Sequence, residues 1–236
     1  MEDRLSRTRA LLGDGAMEKL AASHVLLVGL GGVGGHAFDA LVRSGVGAVT
    51  ACDFDRITES NINRQLLANS ATVGCLKAEV AREHAALIAK DVNITIRTER
   101  LTPDGVEALL SSTRFDLVLD AVDDVAVKVA LAAAAAARGL PILSCLGTAN
   151  RTDPTALRFT DIGKTEGCPL ARAVRTRLRK LGVSHLRVLV SSEPPHPSTE
   201  GVPLASVAYV PSVAGLLLAG EAVRLLTGAP DGRPCP

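Results

Sequence analysis

Val25-Leu26-Leu27-Val28-Gly29-Leu30-Gly31-Gly32-Val33-Gly34 is an apolar run that breaks into a glycine-rich turn, an order of residue types suited to cradling the phosphates of a nucleotide. Gly29 permits a tight exit from a strand, Gly31 lets the backbone approach phosphate oxygens, and Gly34 lets the following helix pack close to the strand. Gly32 beside Gly31 is more glycine than an ordinary strand-to-helix turn needs. The helix start then offers unpaired N–H groups and a partial positive charge to an anion. Asp53 closes the next apolar run, Ala48-Val49-Thr50-Ala51-Cys52, nineteen residues past Gly34, near the spacing of a ribose-binding acid.

Downstream lie Phe54-Asp55-Arg56-Ile57-Thr58-Glu59-Ser60-Asn61-Ile62-Asn63-Arg64-Gln65 and then Gly74-Cys75-Leu76-Lys77 at a helix start. A hydride-transfer site has no need of cations here. Moving the α-phosphorus of a triphosphate onto a carboxylate does need them, because charge gathers on the departing pyrophosphate. Arg64 and Lys77 suit that task, with Asn61 as a neutral donor and Asp55 and Asn63 in the same cofactor-binding segment. Taken singly, each cation reads as a solvated surface residue. Further on, Asp120-Ala121-Val122-Asp123-Asp124 closes a strand, where an open parallel sheet presents its ligand groups. Asp120 is read as ending the strand and Asp124 as capping the next helix, which leaves Asp123 as the candidate carboxylate for Mg²⁺ on the phosphates.

These residues need a frame that brings strand ends together. Apolar runs at 24–29, 48–53, 93–98, 115–120 and 140–145 alternate with helix-periodic segments at about 33–45, 76–90, 103–112 and 124–138. That alternation predicts an α/β, Rossmann-like, doubly wound and mostly parallel sheet with helices on both faces. After Cys145 come shorter strand-like runs at 156–160, 186–191 and 206–210, one basic helix and one apolar helix, read as a mixed sheet extension over the nucleotide site. The expected organisation is one domain over 1–236: a helical arm to residue 23, a nucleotide-binding core over 24–146, and a substrate-side extension over 147–228. The Pro/Ser-rich stretch 191–203 reads as a mobile loop.

Composition narrows the function. Only 2% of the 236 residues are aromatic, so base-stacking platforms for single-stranded nucleic acid are excluded as a main device. The net charge of +1 gives no global steering, yet between 164 and 190 seven cations stand against Glu166 alone. Cysteines 52, 75, 145, 168 and 235 form no CxxC pair, so no zinc site is expected. The charged start, Met1 to Arg9, is unlike a secretion signal, and a cytoplasmic protein with free thiols is expected. The apolar stretch 202–228 is interrupted by Ser206, Pro211, Glu221 and Arg224. It reads as a core or subunit-interface helix of about 16 residues rather than an integral span, with peripheral membrane association as the alternative.

Together GxGGVG, the strand end at Asp53, SNINRQ, VGCLKAE and the Asp123 pair resemble the ubiquitin-activating-type adenylyltransferases, which include the molybdopterin- and thiamine-pathway adenylating enzymes. RLSRTRALLG from Arg4, NRTDPT from Asn150, Lys164-Thr165 with Cys168-Pro169-Leu170, and VAYVPSVAG from Val207 are similar to one branch, the tRNA threonylcarbamoyladenosine dehydratases. The resemblance runs from Arg4 to about Gly228; Gly147-Thr148-Ala149-Asn150 departs from a more glycine-rich loop in that branch. It implies ATP and Mg²⁺ as cofactors, and tRNA carrying threonylcarbamoyladenosine as substrate. The carboxylate is adenylated and an internal nucleophile displaces AMP to close a ring. By that resemblance Asp53 binds the ribose, Asn61, Arg64 and Lys77 the phosphates and Asp123 the magnesium, while Arg7 comes from the partner subunit of a homodimer. A sulfur-transfer or redox protein partner is a further implication.

The basic segment makes independent sense as a tRNA contact. At 100° per residue, Arg172, Arg175 and Arg179 fall within about 60° of one another, opposite Leu170, Val174, Leu178 and Leu181. With Lys164 they are the candidate phosphate contacts. Cys168, just before Pro169 at the helix start, is a candidate reactive thiol, against a structural or sensing role. Besides a nucleotide-binding module without turnover, two other functions stay open from the residues alone. One is activation of the C-terminal glycine of a small sulfur-carrier protein; the other is a nicotinamide-dependent oxidoreductase, which leaves Arg64, Lys77 and Asp123 unexplained.

Overall fold

The computed structural model describes residues 3–197 and 204–228. Seven strands form one sheet in the order β3-β2-β1-β4-β5-β7-β6. β1 (His24–Val28), β2 (Ala48–Cys52), β3 (Asn93–Arg97), β4 (Leu117–Asp120), β5 (Ile142–Cys145) and β7 (Arg187–Ser191) pair in parallel, and β6 (Leu157–Asp161) runs antiparallel to β7. Burial follows position in the sheet. Val25 to Leu27 and Leu117 to Leu119 are fully buried, because central parallel strands are covered on both faces. Edge strand β3 instead alternates exposed and half-buried residues.

The helices sit where the apolar periodicity places them: α3 (Gly34–Ser44), α4 (Lys77–Ile88), α5 (Val106–Ser111) and α6 (Val125–Arg138). Asp124 caps α6 by accepting from the backbone N–H of Ala126 and Val127, and Gly139 in the left-handed conformation ends it. The N-terminal arm is two short helices, α1 (Ser6–Leu12) and α2 (Asp14–Ala22). Leu5 lies against Gly45, the residue that ends α3, so the arm packs at the end of α3 remote from the glycine turn. The extension joins the core directly: β5 pairs with β7, and α7 (Pro169–Lys180) packs on α6.

The strand expected at 206–210 does not form. Residues 204–207 have no regular structure, and Tyr209 opens α8 (Tyr209–Thr227), 19 residues long rather than about 16. The backbone there is satisfied elsewhere: Ala205 exchanges hydrogen bonds with Asn150, and the Ser206 carbonyl accepts from Asn63 Nδ2 at 3.1 Å. Pro211 falls in the first helical turn, where a missing N–H costs nothing. The expectation of a loop over 191–203 lies partly outside the described residues, as does Cys235. α8 is long and apolar enough to cross a membrane, and half of it is buried in the protein. It packs along α3 and α2, and the Nζ of Lys19 in α2 donates to the carbonyl of Thr227 at 2.7 Å.

Candidate active site

β1 has β2 on one side and β4 on the other, so the chain winds in opposite directions from it, and the crevice above their C-terminal ends is the natural ligand site. The glycine turn sits there. Gly29 has φ +92° and lies so close to Ala121 that a Cβ would meet its carbonyl oxygen at 2.7 Å. Gly34 brings α3 against the turn; a Cβ would meet the Gly29 oxygen at 1.8 Å. At Gly31 the only neighbour of such a Cβ within 4 Å among the described residues is Gln65 Nε2 at 3.9 Å, so that face is open toward the crevice. Gly32 touches Pro211, with 3.1 Å between its Cβ position and the proline Cβ. The C-terminal helix thus braces the turn, a contact with no local sequence signal.

Asp53 holds the same turn from the end of β2. Its Oδ2 accepts from the Leu30 N–H at 2.7 Å and its Oδ1 from the Asp55 N–H at 2.8 Å. Burial pushes its carboxyl above the usual range, against the opposing pull of the Lys77 charge and these two donors. The side chain expected at the ribose is therefore also a structural pin of the cradle.

The two expected phosphate cations are both at the crevice wall. Lys77 opens α4 almost fully buried, with Nζ 2.9 Å from Asp55 Oδ2, so Asp55 acts by holding the lysine in place. Arg64 is half-buried, its Nη1 donating to the Ser60 carbonyl and to Asn63 Oδ1, both at 2.8 Å. Asn61 lines the crevice and locks its own 3-10 turn, Oδ1 accepting from the Thr58 N–H at 3.1 Å. Asn63 is exposed and outside the lining; it links Arg64 to the Ser206 carbonyl.

Asp123 is exposed in the crevice, while neighbouring Asp124 spends its carboxylate on the cap of α6. Asp120 does more than end its strand. It is fully buried and paired with Lys128 of α6, Nζ to Oδ2 at 2.8 Å, and it accepts from Ser144 Oγ at 2.6 Å. Lys128 also donates to the Cys145 carbonyl at 2.9 Å. This buried group ties the ends of β4 and β5 to α6, with Asp120 three residues before Asp123 in the chain. Sequence reasoning missed Lys128; eight residues past Asp120, it reads as an ordinary helix cation.

The crevice extends to residues 147–151 in one continuous cavity of about 1100 Å³. Gly147 to Arg151 form one wall, with Cys168, His196 and Ser206 around them. Cys168 is buried, and its Sγ accepts from the Ala171 N–H at 3.5 Å, so the thiol caps α7. Cys52 and Cys145 also line the cavity, and burial pushes both thiols up to about 12. Near β3, Arg100 stacks over the Phe54 ring at 4.9 Å, a polar-faced platform at the nucleotide end that sequence reading passed over.

Other expected site residues lie elsewhere. Arg7 is exposed on α1, at the opposite end of α3 from the cradle, and outside the lining. Arg172, Arg179 and Lys164 are exposed outside the cavity, as solvent-facing contacts require. Arg175 is not free for a phosphate. Its Nη1 donates to the Thr165 carbonyl at 2.8 Å and to Thr165 Oγ1 at 2.5 Å, fastening the 162–165 turn to α7. Leu181, assigned to the buried face, is 59% exposed because α7 has ended by then.

A family profile covers almost the whole chain, matching ThiF over residues 5–235. The chain belongs to the ThiF family. It is 35% identical over 240 residues to the tRNA threonylcarbamoyladenosine dehydratase of Bacillus subtilis, spanning 94% of each chain. Its fold matches the crystal structure of E. coli tRNA N6-threonylcarbamoyladenosine dehydratase, TcdA, in complex with AMP, with a TM-score of 0.89, 32% identity, and 95% and 94% of the two chains covered. The ATP complex of the same enzyme gives a TM-score of 0.88 at 32% identity over the same shares. The crevice of this ThiF-family chain thus occurs in a fold whose relative is seen with both ATP and AMP.

Proposed function

We propose that this chain is an ATP-dependent tRNA threonylcarbamoyladenosine dehydratase. The observation that carries the reading is the continuity of the cavity. One cavity takes in the glycine turn, Lys77, Arg64 and Asp123 together with Gly147 to Arg151, in a chain similar over 94% of its length to a dehydratase. A carboxylate oxygen of the threonylcarbamoyl group attacks the α-phosphorus, the O–P bond forms, and pyrophosphate leaves with its electron pair. Lys77 and Arg64 offset the charge gathering on that group. An internal nucleophile of the same modification then attacks the activated acyl carbon, AMP departs, a proton is lost, and the ring closes with net loss of one water.

Asp123 is the residue we assign to Mg²⁺. Among the described residues no group of three or more His, Cys, Asp or Glu is placed to hold a metal. A single exposed carboxylate suits an ion that takes its other ligands from phosphates and water. Bound there, Mg²⁺ would supply charge compensation on the phosphate oxygens. Arg172 and Arg179 are the proposed tRNA contacts, and Arg175 is assigned to the 162–165 turn instead. We assign a homodimer through the exposed stripe of Tyr209 and Leu216 on α8, with Arg7 contributed by the partner. Exchange of labelled pyrophosphate into ATP tests the substrate class. Exchange is expected only with threonylcarbamoylated tRNA; exchange driven by a small carrier protein ending in Gly-Gly and indifferent to tRNA would overturn the reading.

A further inference from the structure

Among the described residues, Arg151 is the one buried charge lining the cavity that the reaction above does not use. It is 3% exposed, it lines the cavity, and its Nε and Nη1 have no hydrogen-bond partner among the described residues. A guanidinium cannot shed its proton, and burying it unpaired is costly, so such groups ordinarily meet a carboxylate or phosphate. Asp153, the nearest acidic residue along the chain, is committed elsewhere, its Oδ1 accepting from the Thr155 N–H at 2.8 Å and from Thr155 Oγ1 at 2.5 Å. Glu193 accepts from the Thr152 N–H and hydroxyl and from the Asp153 N–H at 2.9 to 3.1 Å, which also holds its carboxyl below the usual range.

The backbone around Arg151 is rigidly set. Asn150 adopts φ +54°, unusual for a residue other than glycine, and it is held in that conformation from two sides. Its N–H donates to the Ala205 carbonyl, its Oδ1 accepts from the Ala205 N–H, and its carbonyl accepts from the His196 N–H, each at 2.8 Å. Two crossing segments thus fix the residue preceding Arg151 and leave the guanidinium without an anion. The phosphates are already assigned to Lys77 and Arg64.

We propose that Arg151 receives the carboxylate of the acceptor, two N–H groups on its two oxygens, and presents it to the α-phosphorus. The proposal rests on the reading that the acceptor brings a carboxylate to this cavity. It makes Arg151 a specificity residue that separates modified from unmodified tRNA.

The test measures binding of threonylcarbamoylated tRNA, and of the same tRNA with that carboxylate converted to a carboxamide, in the presence of a non-hydrolysable ATP analogue. The wild-type protein is expected to favour the carboxylate by about tenfold or more, the range of a charged hydrogen-bonded contact. Arg151→Met loses that preference, keeps the affinity for the ATP analogue within about twofold, and melts no lower than wild type, since an unpaired charge has been removed. Arg151→Gln serves as the second variant should the methionine protein fail to fold, with the same loss expected. Retention of the wild-type preference in either variant overturns the assignment, as does an equal loss of affinity for the ATP analogue. A wild-type protein indifferent to the carboxylate would overturn the acceptor reading itself.

Discussion

Gly34→Ala isolates the contact on which the cradle depends. A Cβ at residue 34 would stand 1.8 Å from the Gly29 oxygen, where real contacts begin at about 3.0 Å, so α3 and the turn must separate by about 1.2 Å. Overpacking of this kind costs roughly 1–3 kcal/mol. At about 2–4 °C per kcal/mol for a chain of this size, the melting temperature should fall by about 2–12 °C. Displacement by about 1 Å also moves the turn's N–H groups off the phosphates, and misplacement on that scale costs on the order of 10²-fold in turnover. Gly31→Ala is the matched control, because within 4 Å among the described residues its Cβ meets only Gln65 Nε2 at 3.9 Å. It should melt like wild type and lose ATP affinity, since the methyl group enters the space that phosphate needs. Differential scanning fluorimetry with and without ATP reads both effects. A Gly34→Ala protein with wild-type melting and turnover, or a Gly31→Ala protein that melts lower yet binds ATP normally, would refute the geometry.

Lys128→Met leaves Asp120 a buried carboxylate without its cation and should cost about 3–5 kcal/mol, measured by urea unfolding; a loss under about 1 kcal/mol would show the pair to be dispensable. Asp123→Ala should leave urea unfolding unchanged and cut ATP- and tRNA-dependent AMP formation by about 10³-fold, the scale of losing several kcal/mol of metal-assisted stabilisation. Near wild-type turnover at saturating Mg²⁺ would remove Asp123 from the metal role. Iodoacetamide at pH 8 should label exposed Cys75 in the native protein and spare Cys52 and Cys145, read by peptide mass spectrometry before and after denaturation. Those two thiols stay protonated to about 12 when folded but ionise above 9.0 when unfolded, so stability should fall as pH rises from 9 toward 12.

The parts of the site that were legible in the sequence are those encoded by neighbours along the chain. The strand, the glycine turn and the start of α3 are contiguous, and Asp53 ends the adjacent strand, so their order alone placed them in one crevice. Asp124 as a cap and Asp123 as the free carboxylate followed from helix-start chemistry. Side chains whose roles depend on distant segments were misread or missed. Arg175 shares a helix face with Arg172 and Arg179, but the wheel does not show the 162–165 turn folding back onto it. Lys128 and Arg151 look like solvated cations until strand ends and crossing loops enclose them. The run at 206–210 has the composition of a strand, but Asn150 claims the backbone of Ala205, Asn63 takes the carbonyl of Ser206, and Tyr209 already opens α8.

The most direct measurement of the central claim is mass spectrometry of nucleosides from threonylcarbamoylated tRNA incubated with the protein and ATP, with AMP and pyrophosphate counted in the same reaction. Threonylcarbamoyladenosine is expected to lose one water, with one AMP and one pyrophosphate released per nucleoside converted. Unchanged nucleoside in a reaction where the protein demonstrably binds both ATP and the tRNA would contradict that claim.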